Sequence, residues 1–378
     1  MFLTTLPKRG DILKFTCEKA VLAQAVSAAS RTVTSRTSIP ALEGVLCEVS
    51  NTTVTLTGFN LATGIRAIIS IEDGEPGAVV INARLLGDIV RKSSDDFITV
   101  EADERLTVTI KNGMSEFKLM GLAATDFPAL PEPENDLTIR MDQSLLKSMI
   151  SMTIFAVSDN ENKLIHTGEL FDYKNGQLSV VAVDGYRLAV RREEVESSSD
   201  NFKFVVPGAA LRECERLCEE SDEQVIITLG NRHITFDLGD RVLISRLIEG
   251  EFLNYEAAIP KDSKFKVVAK ADDLRDAVER VSLIISERLK NPIRCLFDDG
   301  RLKIWCQTAL GRANDELLVE GDGGETEIGF NNRFLQDALR AVPDESVRVE
   351  LSSGLSPCLF SPLEGDKYTF MVLPVRLK

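Results

Sequence analysis

A strand-then-helix opening occurs three times in this chain, near residues 13, 137 and 264. Each opening alternates apolar and polar residues over a short stretch: Phe15 and Cys17, Ile139 and Met141, Val267 and Ala269. That alternation is what a half-buried strand requires. Each opening then changes to helical spacing, Leu22 with Val26, Leu146 with Ile150 and Leu274 with Val278. The aligned leucines stand 124 and 128 residues apart. A period of that length is domain-sized, so the chain is expected to fold as three similar domains in a row. Function is then expected to sit in the assembly of domains rather than in one pocket.

Each repeat divides again. In the first copy, extended segments rich in Val, Ile, Thr and Leu follow at 45–50, 53–57 and 64–71. A second strand-to-helix step comes next, Val80-Ile-Asn-Ala-Arg-Leu-Leu, Val206-Pro-Gly-Ala-Ala-Leu and Phe330-Asn-Asn-Arg-Phe-Leu in the three copies. Its leucines Leu86, Leu211 and Leu335 align at spacings of 125 and 124. Strand-like segments at 97–101, 105–111 and 115–120 close the first copy, separated by turn residues such as Lys111-Asn-Gly. The unit is therefore a doubled βαβββ, an α+β domain with two helices on one side and two small sheets on the other. The Pro-bearing polar stretches 130–136 and 259–263 read as junctions. The expected organisation is an N-terminal extension at 1–13 and domains at 14–136, 137–263 and 264–378.

The seven cysteines include no C-x-x-C, so neither a disulfide framework nor an oxidising compartment is expected. Cys214 and Cys218 stand one helical turn apart and read as small apolar packing residues; a zinc site would need further ligands, and the only histidines are His166 and His233. No apolar run approaches the roughly 20 residues of a membrane span, and no secretory signal is expected at the N-terminus. The predicted location is the cytoplasm.

The net charge is −15, which taken alone argues against a nucleic-acid partner. The second helices nevertheless align cations on one face. Arg84 and Arg91 are seven apart, as are Arg333 and Arg340, and Arg212 and Arg216 are four apart. Acids such as Glu213, Glu215 and Asp337 could balance them on a solvated face. Catalytic motifs are missing: the chain has no G-x-x-x-x-G-K-[ST] phosphate loop, no G-x-G-x-x-G after a strand and no G-x-S-x-G elbow. His166 lies in a strand-like run, 164–171, and reads as a half-exposed strand histidine.

The tripled α+β unit, together with an acidic body carrying basic helices, resembles the bacterial sliding clamp, the beta subunit of DNA polymerase III. Local sequence supports the resemblance over about 14–377. Arg36-Thr-Ser-Ile-Pro-Ala-Leu42 is similar to the family's segment after the first helix, and Leu56-Thr-Gly-Phe-Asn-Leu61 to its "LTGTDLE" turn. Glu75-Pro-Gly77, Ala83-Arg84 and Asp126-Phe-Pro128 also fit. Val181-Ala-Val-Asp-Gly-Tyr-Arg-Leu-Ala189 is close to "ATDGHRLA", and Leu373-Pro-Val-Arg-Leu377 to the "MPMRL" tail.

The resemblance implies a head-to-tail homodimer, a ring of six domains that encircles duplex DNA with its helices inside. It implies no catalysis and no cofactor. Its partners would be double-stranded DNA held without sequence preference, DNA polymerases and the clamp loader. Arg36, Asn160 and Lys163 match DNA-touching positions, and Arg84, Arg91, Arg212, Arg216, Arg333 and Arg340 would point into the hole. Phe117 and Leu119 match one side of the dimer seam, Ile284 and Ile285 the other. The peptide groove for partners matches His166, Val183, Gly185, Tyr186, Arg187, Leu188, Leu253 and Ala258. It continues through Met371, Val372, Leu373, Pro374, Val375 and Arg376, with Gly185 expected to admit close approach of a side chain to the backbone. The chain departs from the family at His166, where an aliphatic residue is usual, at Leu253, in place of a proline, and at Ala257, where a basic residue can occur. Two other readings stay open: an enzyme built on repeated domains, and a clamp-like paralogue that binds protein without loading on DNA.

Overall fold

Alternating burial is realised at once in the strand Leu13–Glu18, where Leu13, Phe15 and Cys17 point inward and Lys14, Thr16 and Glu18 outward. The computed structural model describes residues 13–35, 37–131, 137–199, 201–286 and 291–377. They form two compact units, one holding residues up to Ser144 with Arg216–Leu247, the other Leu145–Glu215 with residues from Ile248 onward. The division falls inside the second repeat.

In the first unit a five-stranded sheet runs in the order Gly74–Glu75, Leu13–Glu18, Phe97–Ala102, Thr107–Asn112, Ser115–Met120. A larger sheet begins with Leu122–Ala123, Gly77–Asn82, Gly44–Val49, Thr53–Phe59 and Thr63–Ser70. It continues through Arg241–Arg246, His233–Asp237, Gln224–Leu229 and Leu137–Asp142, which come from the second repeat. The join is antiparallel, with Ile65 opposite Leu243 and Arg241 opposite Ala67. Two small sheets within each domain were expected; instead the sheet passes from one repeat into the next. Pairing the two outer strands removes exposed edges that would otherwise recruit another chain.

The second unit repeats the device. Its larger sheet runs Asn201–Pro207, Gly168–Lys174, Gln177–Val183, Arg187–Glu194, Tyr368–Val372, Cys358–Ser361, Ser346–Leu351, Phe265–Lys270, Glu320–Asp322. Here Leu188 of the second repeat faces Met371 of the third. A four-stranded sheet, Gly311–Leu318, Arg301–Thr308, Ile293–Asp298, Thr326–Phe330, completes it.

The helices follow from spacing and caps. Helix Ala83–Lys92 starts where the Asn82 side chain accepts the Leu85 N–H, and it buries Ala83, Leu86 and Val90. Helix Asn332–Arg340 starts in the same way at Asn331 and buries Leu335, Ala338 and Leu339. Lys19–Ser30 packs against the first of these, and Ala271–Ser282 against the second. All six aligned leucines of the triple repeat are core residues. Cys214 and Cys218 are buried too, in agreement with packing.

One buried group gives a pH prediction. Glu169 is fully enclosed; its Oε1 accepts the Thr153 hydroxyl at 3.0 Å, while Oε2 has no hydrogen-bond partner among the described residues. Burial pushes this carboxyl well above the usual carboxylate range, opposed by the Thr153 hydroxyl and by Arg212. A raised folded-state value means that the native protein holds this proton more tightly than the unfolded chain. Its contribution is present at low pH and is lost as pH rises from the ordinary carboxylate range through the folded value. Glu169→Gln cannot ionise, so its melting temperature relative to the unsubstituted protein should rise as pH increases above the ordinary carboxylate range. A difference independent of pH would contradict this assignment.

Candidate functional site

In the second unit, a turn, a strand end and the chain's tail converge. Val183 ends one strand and Arg187 begins the next. The Asp184 carboxylate holds the turn between them: Oδ1 accepts the N–H groups of Tyr186 and Arg187 at 2.8 and 3.0 Å. Gly185 has φ +95, and nothing lies within 4 Å of where a Cβ would stand. Backbone handedness alone calls for glycine here, because an L side chain rarely adopts this φ.

Arg187 is buried, with 5% of its side chain exposed. Its Nε donates to Asp184 Oδ2 at 2.9 Å, and its Nη1 to Asp337 Oδ2 at 2.6 Å. The guanidinium lies over the Phe334 ring, 4.5 Å from the centroid, with Phe155 at 5.4 Å. Tyr186 is 63% exposed and stacks against Phe334.

Val183, Leu188 and Met371 are buried in one cluster with Leu170, Val190 and Tyr255; Ile165, Phe252 and Leu373 pack on it half-buried. Val372 turns the other way, into the core of the third repeat. The tail is held by backbone bonds, Leu373 N–H to Tyr186 O at 2.9 Å and Val375 N–H to Gly329 O at 2.8 Å. Pro374 and Val375 are half-buried and Arg376 is exposed. Leu253 is exposed and Ala258 half-buried. The arrangement offers an apolar layer, with Ile165, Phe252 and Leu373 half-buried on it, able to take apolar side chains of a peptide.

His166 is not in a strand. It lies one residue before the end of the 3-10 segment Glu161–Thr167, which Asn160 opens by accepting the Asn162 N–H and which the Thr167 hydroxyl closes on Leu164 O. The strand begins only at Gly168, where a Cβ would meet Val206 O at 2.4 Å. His166 meets Phe252 edge to face with centroids 5.5 Å apart. Partial burial and Lys163 hold its pKa below the usual histidine value.

The aligned cations divide. Arg84 and Arg91 are 90% and 71% exposed and share Asp88. They line a cleft of about 650 Å3 between helices Lys19–Ser30 and Ala83–Lys92, together with Lys19 and Arg31. Arg333 lies 3.8 Å from Asp337, and Arg340 pairs with Glu279 of the neighbouring helix at 3.0 Å. Arg216 is exposed but Arg212 is half-buried, although the two share a helix face. Asn160 and Lys163 are exposed. Arg36 lies outside the described residues.

Phe117 and Leu119 lie on Ser115–Met120, the edge of the five-stranded sheet, opposite the buried Ile110 and Val108. The core-facing side of that sheet thus runs out to solvent, with Phe117 40% exposed. In the other unit, Ile284 and Ile285 follow helix Ala271–Ser282 and are half-buried beside the exposed Leu283.

Asp184, Phe155, Phe252 and Phe334 were not singled out in the sequence, and Asp337 was read there only as an acid balancing the helix arginines. The Asp184-Gly-Tyr-Arg187 spacing is that of an Asx turn and could have marked Asp184. Asp337 is 150 residues from Arg187, and no local pattern links them.

Three family models match the chain in succession. They describe the N-terminal, central and C-terminal domains of the DNA polymerase III beta subunit, at residues 13–131, 140–254 and 256–376. The beta sliding clamp of Halalkalibacterium halodurans is 31% identical, covering 96% of this chain and all of the relative. The solved sliding clamp of Pseudomonas aeruginosa bound to griselimycin superposes with TM-score 0.92 at 32% identity, over 97% of this chain and all of that one. That of Bacillus subtilis gives TM-score 0.92 at 27% identity over the same shares.

Proposed function

The chain belongs to the DNA polymerase III beta-subunit family, the beta sliding clamps, and from that premise we propose that it is a non-catalytic processivity factor acting on DNA in the cytoplasm. Two copies close head to tail into a ring of six domains around duplex DNA, each chain contributing 14–136, 137–263 and 264–378. A heterologous interface closes into a ring when its rotation allows it. The match of three consecutive clamp domains over nearly the whole chain supports this reading most strongly. Phe117 and Leu119 of one copy meet Ile284 and Ile285 of the next. The helix arginines, with Asn160, Lys163 and Arg36, face the phosphates without reading bases, and the acidic remainder faces away. Polymerases and the clamp loader dock a short peptide in the groove at Tyr186, Leu253 and the tail.

Primer extension on a long single-stranded circle by a bacterial replicative polymerase with its loader tests the function. Products should lengthen from short tracts to full circles when this protein is added. Unchanged product length, with a control clamp active, would contradict the proposal.

The arginines carry a separate prediction. Counterion release contributes a salt slope of roughly 0.9 for each phosphate neutralised. Arg84→Gln with Arg91→Gln should lower the salt slope of binding to linear duplex by about two. An unchanged slope would return these arginines to the role of solvated partners of Asp88.

A further inference from the structure

Arg187 lies in the stretch expected to bind partner peptides, yet its guanidinium is already occupied. Asp184 and Asp337 take its Nε and Nη1, and Phe334 and Phe155 cover its faces. A group so enclosed holds something else in place. What it holds is the turn that presents Tyr186: Asp184 is both the partner of Arg187 Nε and the acceptor of the Tyr186 and Arg187 N–H groups. The far end of the chain of contacts is Asp337, on helix Asn332–Arg340. That helix also supplies Phe334, on which Tyr186 stacks. Tyr186 O in turn accepts the Leu373 N–H and so fixes the start of the tail. Besides this network, the turn is closed by the Asp184 N–H to Arg187 O bond at 3.3 Å, while Gly185 itself makes no packing contact at its Cβ position.

We infer that Asp337 is a positioning residue for the peptide groove. Through Arg187 it sets the place of Tyr186 and the tail without touching the peptide. The inference rests on the groove reading given above. A buried guanidinium bonded to two different carboxylates is a good lever because its planar fork fixes direction as well as distance. Removing one of its two carboxylates leaves a buried charge half-compensated, so the arginine will shift and take Asp184 with it.

The test uses the full chain carrying Asp337→Asn, which keeps the size and removes the charge. Two quantities are measured: affinity for a fluorescently labelled short peptide with leucine and phenylalanine anchors, and amide hydrogen exchange residue by residue. Affinity should fall roughly tenfold, in line with coupling between groups in one network. The Tyr186 and Arg187 amides should exchange roughly tenfold faster, a local opening. Asp337→Glu, which keeps the charge, should recover part of both. Unchanged affinity and exchange in Asp337→Asn would overturn the inference. So would faster exchange spread through the core around Leu335 and Phe330, since that marks general loosening. If the unsubstituted protein fails to bind the peptide, the groove reading fails by itself, and the exchange at Tyr186 and Arg187 still decides whether Asp337 positions the turn.

Discussion

Aspartate at both Leu119 and Ile284 is expected to leave this protein monomeric and unable to stay on circular DNA. Leu119 faces the same side of its sheet as Phe117, and the two extend the core face beyond its last fully covered pairs, Val108 and Ile110. Ile284 sits beside Leu283, which is 84% exposed although large and apolar. Exposed apolar groups at a sheet edge and at a helix end are what an interface between copies would cover. A carboxylate placed there costs little in the free chain, where water still reaches it. In the dimer it would be desolvated without a partner, at a cost of at least about 3 kcal/mol for the pair of changes. That is a weakening of about a hundredfold or more. Sedimentation at micromolar concentration should therefore show a monomer for the variant and a dimer for the unsubstituted protein, with similar melting temperatures. A variant that remains dimeric would remove these residues from the seam.

Gly58→Ala should cost the first unit more than most surface charges together. Gly58 lies in the strand Thr53–Phe59, and a Cβ there would stand 1.9 Å from Ala29 O, in the backbone of helix Lys19–Ser30. No rotamer relieves that contact, because both sides are main chain. The helix must lift from the sheet, away from a core that includes Leu56, Phe59 and Leu22. Overpacking of a well-filled interior costs about 1–3 kcal/mol and can exceed that range where backbone must move. We expect about 3 kcal/mol, read as a fall of several degrees in the transition of the first unit, with the second unit's transition unmoved. An alanine variant within a degree of the unsubstituted protein would show that the helix can yield there. The glycine of the Leu56-Thr-Gly-Phe motif is thus explained by the nearness of a helix, not by a turn.

The repeated openings were legible because their signals are local. Leu22, Leu146 and Leu274 needed only helical spacing to be assigned to a core, and Leu13–Glu18 only its alternation. The sharing of sheets between repeats was not legible, since it depends on Thr63–Ser70 meeting Arg241–Arg246, with paired residues 174 to 182 positions apart. His166 misled for a related reason. Its apolar neighbours Leu164 and Ile165 look like strand residues, but the Asn160 side chain captures the Asn162 N–H and commits the segment to a turn. Arg212 and Arg216 share a helix face by spacing, yet Arg212 is half-buried, because spacing fixes direction and not what packs above it. At the proposed groove, the turn and tail residues could be named from the motifs that carry the family resemblance. The ion pair that holds them could not, since Asp337 reads in sequence as one more acid among helix arginines.

Loading by a clamp loader onto nicked circular DNA, washing in high salt and then linearising the circle bears most directly on the proposal of a ring around DNA. Salt removes phosphate contacts but leaves topological linkage intact. The expected result is protein retained through the wash on circles and released when the circle is cut. Loss in the wash, with a control clamp retained by the same loader, would contradict the ring and leave a clamp-fold protein that binds partners without encircling DNA.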